Sequence, residues 1–242
     1  MSIYGVLIGI GFIIIIEYLL RSNLFKVRDL IVLTLCTLVF SRLIFLLHNI
    51  PEIINSEINP IAIWDGGLTI HGARLGILLS TIYISKRNRK TFFKISDLIF
   101  LYLPLAQAIG RFGNYFNHEI YGKPTNSLFG IYIPLQNRLQ GYIQHEYFLP
   151  TFAYESVLNI LNLIILLILK KKNVKTGYIT AIYLINYSII RLLLNTVRID
   201  KEYFFNIETS NIYSLLFLIL GIIFLIYLNS KKYERFHSKD NL

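Results

Sequence analysis

Charge is scarce in this chain, cysteine nearly absent, and the usual marks of soluble enzymes are missing. Only 16% of its 242 residues are Asp, Glu, Lys or Arg, against about a quarter in an ordinary soluble domain. Cys36 is the only cysteine, which excludes a disulfide framework or a cysteine-based metal site within one chain. His48, His71, His118, His145 and His237 are scattered without an H-E-x-x-H or Cys/His spacing, so a metal site has no motif behind it. No G-x-S-x-G elbow and no P-loop occurs, which leaves hydrolase and nucleotide readings unsupported. No basic region precedes the first apolar stretch and no small-residue cleavage site precedes Glu17. That stretch is therefore expected to be a retained helix. Internal repeats and low-complexity linkers are also missing.

What is present is apolar sequence in long runs. Hydrophobic residues make up 55% of the chain, and a helix needs about 20 of them in succession to cross a bilayer. Seven stretches qualify, at roughly 3–20, 30–48, 67–84, 95–110, 152–169, 178–195 and 211–228. The fourth is short and carries Pro104, which predicts a kink or a break. The expected fold is an all-α integral membrane protein, a bundle of about seven transmembrane helices in a single polytopic domain spanning 1–242. The one sizeable segment outside the spans, 111–150, is expected to form a small outer head.

A net charge of +10 raises the question of nucleic acid until the basic residues are placed. They fall in alternate loops. Arg21, Lys26 and Arg28 follow the first stretch, Lys86–Lys94 the third, Lys170–Lys175 the fifth and Lys231–Lys239 the seventh. Segment 49–66 has none. By the positive-inside rule the N-terminus is outside and the C-terminus cytoplasmic. The basic excess is topology plus attraction to anionic lipid heads, and no nucleic-acid role follows.

Polar groups at membrane depth are costly and mark function by default. The densest run is Gly110-Arg111-Phe112-Gly113-Asn114-Tyr115-Phe116-Asn117-His118-Glu119-Ile120-Tyr121-Gly122, directly after an apolar stretch. Arg111, Asn114 and His118 share one stripe if the run is helical, as do Arg191, Asn195 and Arg198. Arg42 and Arg74 also lie within spans, while the acids at comparable depth are fewer: Glu17, Asp97, Glu119 and Glu155. Cations short of anionic partners suit an anion from outside, and in a bilayer that is a lipid phosphate, which the guanidinium fork fits. The competing reading is structural: Arg42 and Arg74 paired with Glu119 or Glu155, or snorkelling to an interface. An ion channel would need a polar lining through the full depth, and the polar groups here gather toward the outer side. The third span opens with Trp64-Asp65-Gly66-Gly67-Leu68-Thr69-Ile70-His71-Gly72-Ala73-Arg74. Its glycines permit close approach of a helix or a ligand. His71 is either a satisfied hydrogen-bonding residue or a general base.

These residues resemble the phosphatidylglycerol–prolipoprotein diacylglyceryl transferases of bacteria over nearly the whole chain. Gly110–Gly122 is similar to that family's signature almost letter for letter. Tyr4-Gly5, Trp64 through Gly72, Ser96-Asp97, Pro150-Thr151 with Tyr154-Glu155, and Arg191 with Arg198 and Asp200 match in order. The resemblance implies a seven-helix protein of the bacterial cytoplasmic membrane with an outer head. The activity it implies moves the diacylglyceryl group of phosphatidylglycerol onto the lipobox cysteine thiol in the signal peptide of a preprolipoprotein. No cofactor and no metal is implied. Arg111 and Arg191 would hold the phosphate, and His71 would help form the thiolate. Tyr4, Asn114 and Glu119 would orient the headgroup, with Gly122, Asn195 and Arg198 completing the substrate-binding set. Glu155 and Asp97 stand equally as structural partners of the arginines.

The chain departs from the family pattern around this set. Asn195 stands where the family usually has glutamate, Leu149-Pro150 replaces His-Pro, and His71-Gly72-Ala73-Arg74 replaces His-Gly-Gly. Two alternatives therefore stay open: a divergent paralogue with another donor or acceptor, and a non-enzymatic lipid-binding protein with the pocket but no poised base.

Overall fold

Apolar runs of this length must pair their backbone groups internally, which in lipid leaves helix as the economical form. A computed structural model describes residues 3–56, 58–62, 67–201, 203–204 and 207–230, and of Ile3, Tyr4, Ile8, Ile70, His71, Tyr203, Phe204 and Ile207 the backbone only. Among the described residues there are eight α-helices: α1 (Ile3–Arg21), α2 (Val27–His48), α3 (Ile50–Ile54), α4 (Ile70–Arg87), α5 (Phe92–Phe116), α6 (Thr151–Lys171), α7 (Tyr178–Asn195) and α8 (Thr209–Leu228). Among the described residues, α2, α5, α6, α7 and α8 are long and apolar enough to cross a membrane. α1 and α4 occupy the other two expected positions, α4 with Arg74, Lys86 and Arg87 in its length. The protein is an all-α polytopic membrane protein. Its surface is apolar where lipid would lie: Val39, Val157, Leu193 and Ile226 are each more than half exposed, while Ser156, Asn159 and Asn162 of α6 are buried.

α5 extends six residues past the expected end at 110 and runs unbroken through Pro104. Its last turns are polar, but their polar face meets α6, so the helix continues where hydropathy alone stops.

The chain forms two compact units, residues 1–15 with 97–242, and residues 16–96. In the smaller unit α2 packs closely on α4 because α4 carries glycine where the helices touch. A Cβ on Gly72 would lie 2.1 Å from the Phe40 carbonyl oxygen, and one on Gly76 would lie 2.4 Å from that of Cys36. These glycines therefore serve helix packing. Thr69 caps α4 by accepting from the Gly72 N–H at 3.3 Å. Ser41 Oγ donates to the Thr69 carbonyl at 2.7 Å, which pins that cap to α2.

In the larger unit α5 and α7 begin side by side. Asp97 accepts hydrogen bonds from the Gly177 N–H at 2.6 Å, the Thr180 N–H at 2.8 Å and Thr180 Oγ1 at 2.6 Å. The carboxylate thus neutralises the positive end of α7 and satisfies its orphan donors. α6 packs against α5, its Ser156 Oγ donating to the Ala108 carbonyl at 3.0 Å. α8 packs on α7 through Gly221, where a Cβ would meet Ile185 Cγ1 at 2.7 Å. With α5 and α7 starting together, their C-terminal turns meet the start of α6 at the opposite end.

The segment between α5 and α6 builds its own small core. Strands β1 (Ile131–Tyr132) and β2 (Tyr147–Phe148) pair antiparallel. Tyr121, Ile133 and Phe148 are buried together, with Ile131, Tyr142 and Ile199 around them. A second antiparallel pair, β3 (Tyr203–Phe204) and β4 (Ile207–Glu208), leads into α8.

Candidate active site

The C-terminal turns of α5 and α7 and the first turns of α6 and α8 place polar side chains around Glu155. That carboxylate is 1% exposed. Arg111 Nη2 lies 2.8 Å from its Oε1, and Arg191 Nη1 lies 3.3 Å from its Oε2. Two guanidiniums from two helices therefore share one buried acid. A buried charge survives only when paired and hydrogen-bonded, and here one carboxylate answers two cations.

Each arginine has a further neighbour. Arg111 Nη1 donates to Asn114 Oδ1 at 3.2 Å, and Asn114 Nδ2 donates to Glu119 Oε1 at 2.7 Å. Arg191 Nη2 donates to Ser210 Oγ at 2.9 Å. Asn195, one turn beyond Arg191, is buried and donates to Asn211 Oδ1 at 2.8 Å.

The two expected stripes are each cut short. α5 ends at Phe116, so Arg111 and Asn114 share its face and His118 does not. His118 and Ile120 both have positive φ, at 53° and 57°. A β-branched residue in that region is a genuine outlier, and it turns the chain sharply around Glu119. α7 ends at Asn195, so Arg198 reaches its place by another route. It pairs with Gly122 in an isolated antiparallel bridge, and its Nε donates to Asp200 Oδ1 at 2.9 Å.

Gly122 lies where three segments cross. Its N–H donates to the Leu149 carbonyl at 2.9 Å, and the next N–H, of Lys123, donates to Val197 at 2.9 Å. A Cβ there would meet Thr151 Cγ2 at 2.8 Å and Leu149 Cβ at 2.9 Å. In this geometry Gly122 lets the strands ahead of α6 and after α7 close together.

Of the other residues singled out above, Arg42 is a brace. It donates to the carbonyls of Asn59 at 2.6 Å, Pro60 at 3.1 Å and Gly67 at 3.1 Å. It therefore fixes the loop ahead of α4, and neither Glu119 nor Glu155 is its partner in these bonds. Glu155 is an arginine partner, whereas Asp97 serves the N-terminus of α7. Arg74 is half-buried on α4. His71 falls in the first turn of α4 and Tyr4 in the first turn of α1. The side chains of both, and residues Trp64, Asp65 and Gly66, lie outside the described residues.

Sequence reasoning missed Glu208, Ser210 and Asn211. The polar run Glu208-Thr209-Ser210-Asn211 just before an apolar stretch was the available signal. Such a run reads as a helix start, and nothing in it points to Arg191.

The family model for prolipoprotein diacylglyceryl transferase matches residues 1–227. A phosphatidylglycerol–prolipoprotein diacylglyceryl transferase of Halalkalibacterium halodurans is 34% identical over 234 residues, covering 92% of this chain and 80% of the relative. Proteins of the same name from Synechocystis and Synechococcus elongatus are 34% and 32% identical, covering 80% and 95% of this chain and 71% and 84% of their own lengths. The chain belongs to the prolipoprotein diacylglyceryl transferase family.

Proposed function

We propose that the chain transfers the diacylglyceryl group of phosphatidylglycerol to the lipobox cysteine thiol of a preprolipoprotein, in the bacterial cytoplasmic membrane. The observation that carries this is the Arg111–Glu155–Arg191 cluster, in which two cations share a single buried anion. Two planar guanidinium forks brought together on one acid suit the oxygens of a phosphate.

In the reaction the thiol loses its proton and the sulfur bonds to the glyceryl carbon that bore the phosphate. The carbon–oxygen bond to the phosphate breaks, and glycerol phosphate leaves with the electron pair. Negative charge grows on the phosphate oxygens as it departs. Arg111 and Arg191, already oriented by Glu155, stabilise that charge more than the ground state, which is what lowers a barrier. His71 is the candidate to take the thiol proton, since the thiolate is the nucleophile. Asn114, held between Arg111 and Glu119, and Tyr4 are candidates to orient the headgroup. Arg198 adds a cation near Gly122. We place the N-terminus and the head outside and the basic loops in the cytoplasm.

The test is purified protein in phosphatidylglycerol vesicles with a lipobox peptide, read by mass spectrometry as gain of a diacylglyceryl group. Arg111→Lys keeps the charge but lacks the planar fork. It should lose most of the transfer while the protein still inserts. Full transfer by that variant would make Arg111 a simple counter-ion. No transfer by the wild-type chain would refute the assignment of substrates.

A further inference from the structure

Asn195 ends a chain of polar contacts that begins two elements away. Its Nδ2 donates to Asn211 Oδ1 at 2.8 Å. Asn211 Nδ2 in turn donates to Glu208 Oε2 at 3.2 Å. Lys201 Nζ lies 3.2 Å from that same oxygen. One residue from Asn211, Ser210 accepts from Arg191. The start of α8 therefore touches both Arg191 and Asn195.

A side-chain amide can face either way, and its direction is decided by what it meets. Asn195 and Asn211 together would leave the choice open. Glu208 removes it, because an ionised carboxylate only accepts. Asn211 must turn its NH2 toward Glu208, which turns its carbonyl toward Asn195. Asn195 must then donate to that carbonyl. With its NH2 end turned to Asn211, the opposite end of Asn195 is its carbonyl oxygen, an acceptor.

We infer that Glu208 is a positioning residue that, through Asn211, sets Asn195 to accept a hydrogen bond from a hydroxyl of the donor lipid's headgroup. The inference rests on the reading that Arg191 holds the donor phosphate. A phosphodiester offers only acceptors, so an acceptor one turn along α7 does not serve the phosphate. It serves a donor bonded close to that phosphate, and the hydroxyls of a glycerol headgroup are such donors. Asn195 then distinguishes a polyol headgroup from one of similar size without hydroxyls, because an unmatched buried polar group is penalised.

The experiment reverses the hydrogen-bonding sense at position 208 while keeping the ion pair. The variant Glu208→Lys with Lys201→Glu exchanges the two charges. The introduced lysine can only donate, so Asn211 turns over, Asn195 turns over, and an NH2 now faces the site. The full chain is assayed in phosphatidylcholine vesicles containing either phosphatidylglycerol or phosphatidylpropanol, with a lipobox peptide as acceptor. The wild type should prefer phosphatidylglycerol, and the swap should shrink that preference about tenfold, the worth of one hydrogen bond. Adding Asn211→Asp should restore it, since an aspartate accepts from the introduced lysine and from Asn195 at once. A purely structural ion pair predicts no loss in the swap. An unchanged preference in the swap overturns the inference, and so does a loss that Asn211→Asp does not repair. A swap that fails to fold and is not rescued by Asn211→Asp overturns it as well. If the wild type transfers from neither lipid, the proposed function fails instead. The relay is then decided by thermal unfolding with the lipids as ligands: phosphatidylglycerol should raise the midpoint more than phosphatidylpropanol in the wild type and in the swap carrying Asn211→Asp but not in the swap alone, and equal stabilisation by both lipids in the wild type overturns the inference.

Discussion

Arg111 and Glu155 join α5 to α6 through a 2.8 Å ion pair, and that pair sets the charge of the site. Glu155 also answers Arg191. Replacing it by Gln removes this buried carboxylate's charge from both guanidiniums. Removing one partner of a buried pair typically costs about 3–5 kcal/mol, so Glu155→Gln should lower the thermal midpoint in neutral detergent. Adding phosphatidylglycerol should recover more of that loss than it adds to the wild type, because a ligand that binds the folded state stabilises it. Equal stabilisation of both proteins would show that no lipid anion reaches the pair.

The α2–α4 contact makes a second expectation. Gly72→Ala places a Cβ against the Phe40 carbonyl, a contact that backbone cannot yield to cheaply. Overpacking of this kind costs about 1–3 kcal/mol. Gly9→Ala on α1 is the control, with nothing within 4 Å of its added Cβ. There the gain of helix propensity, about 0.5–1 kcal/mol, should dominate. Thermal unfolding of the two variants should move in opposite directions.

Tyr121 secures the segment between α5 and α6. Its hydroxyl donates to the Asn137 carbonyl at 2.8 Å and accepts from the Leu139 N–H at 2.7 Å. Tyr121→Phe should cost about 1–3 kcal/mol by leaving that N–H and carbonyl unmatched. Burial pushes the Tyr121 phenol up from its ordinary value, with the Asp200 carboxylate adding to the rise. A raised acid favours its neutral form, so its contribution is fully present below about pH 10. It is lost as pH climbs through the raised value. The alkaline fall in stability should therefore be shallower in Tyr121→Phe than in the wild type.

How much of this is legible in the sequence depends on distance along the chain. The sequence places α7 at its observed bounds because an apolar run between Gly177 and a polar end has one simple interpretation. It cuts α5 short at 110, since Arg111 and Asn114 read as an exit from the membrane when they are a helical face turned to α6. The conflict between propensity and tertiary pairing is resolved by Glu155, forty-four positions on, whose role as partner to both arginines no local pattern shows. Asp97 stays open in the sequence between an arginine partner and other roles. Its service to α7 depends on Gly177 and Thr180, some eighty positions away. The residues of the signature are visible because they are polar where polarity is expensive. The bonds among them depend on where helices end, and the left-handed turns at His118 and Ile120 break a periodicity that sequence alone would continue.

The last expectation concerns the amide chain itself and needs no substrate. Asn195 is buried and gives its NH2 to Asn211, whose own NH2 goes to Glu208. Asn195→Asp changes no volume to speak of but replaces a donor by an acceptor. The new carboxylate would then face the Asn211 carbonyl, acceptor against acceptor. Asn211 could satisfy both carboxylates only by leaving its carbonyl without a donor. Either arrangement strands a buried polar group, at a cost of about 1–3 kcal/mol. Pairing the change with Glu208→Gln reverses the whole chain: the introduced glutamine donates to the Asn211 carbonyl, and Asn211 donates to the introduced aspartate. Net charge returns to that of the wild type and every link is again donor to acceptor. Thermal unfolding in detergent should show a clear loss for Asn195→Asp and recovery of most of it in the double variant, although each change alone is close to isosteric. Additive effects of the two substitutions would mean that the residues are not coupled through Asn211. A single variant as stable as the wild type would mean that the order of donors and acceptors from Glu208 to Asn195 does not matter to the fold.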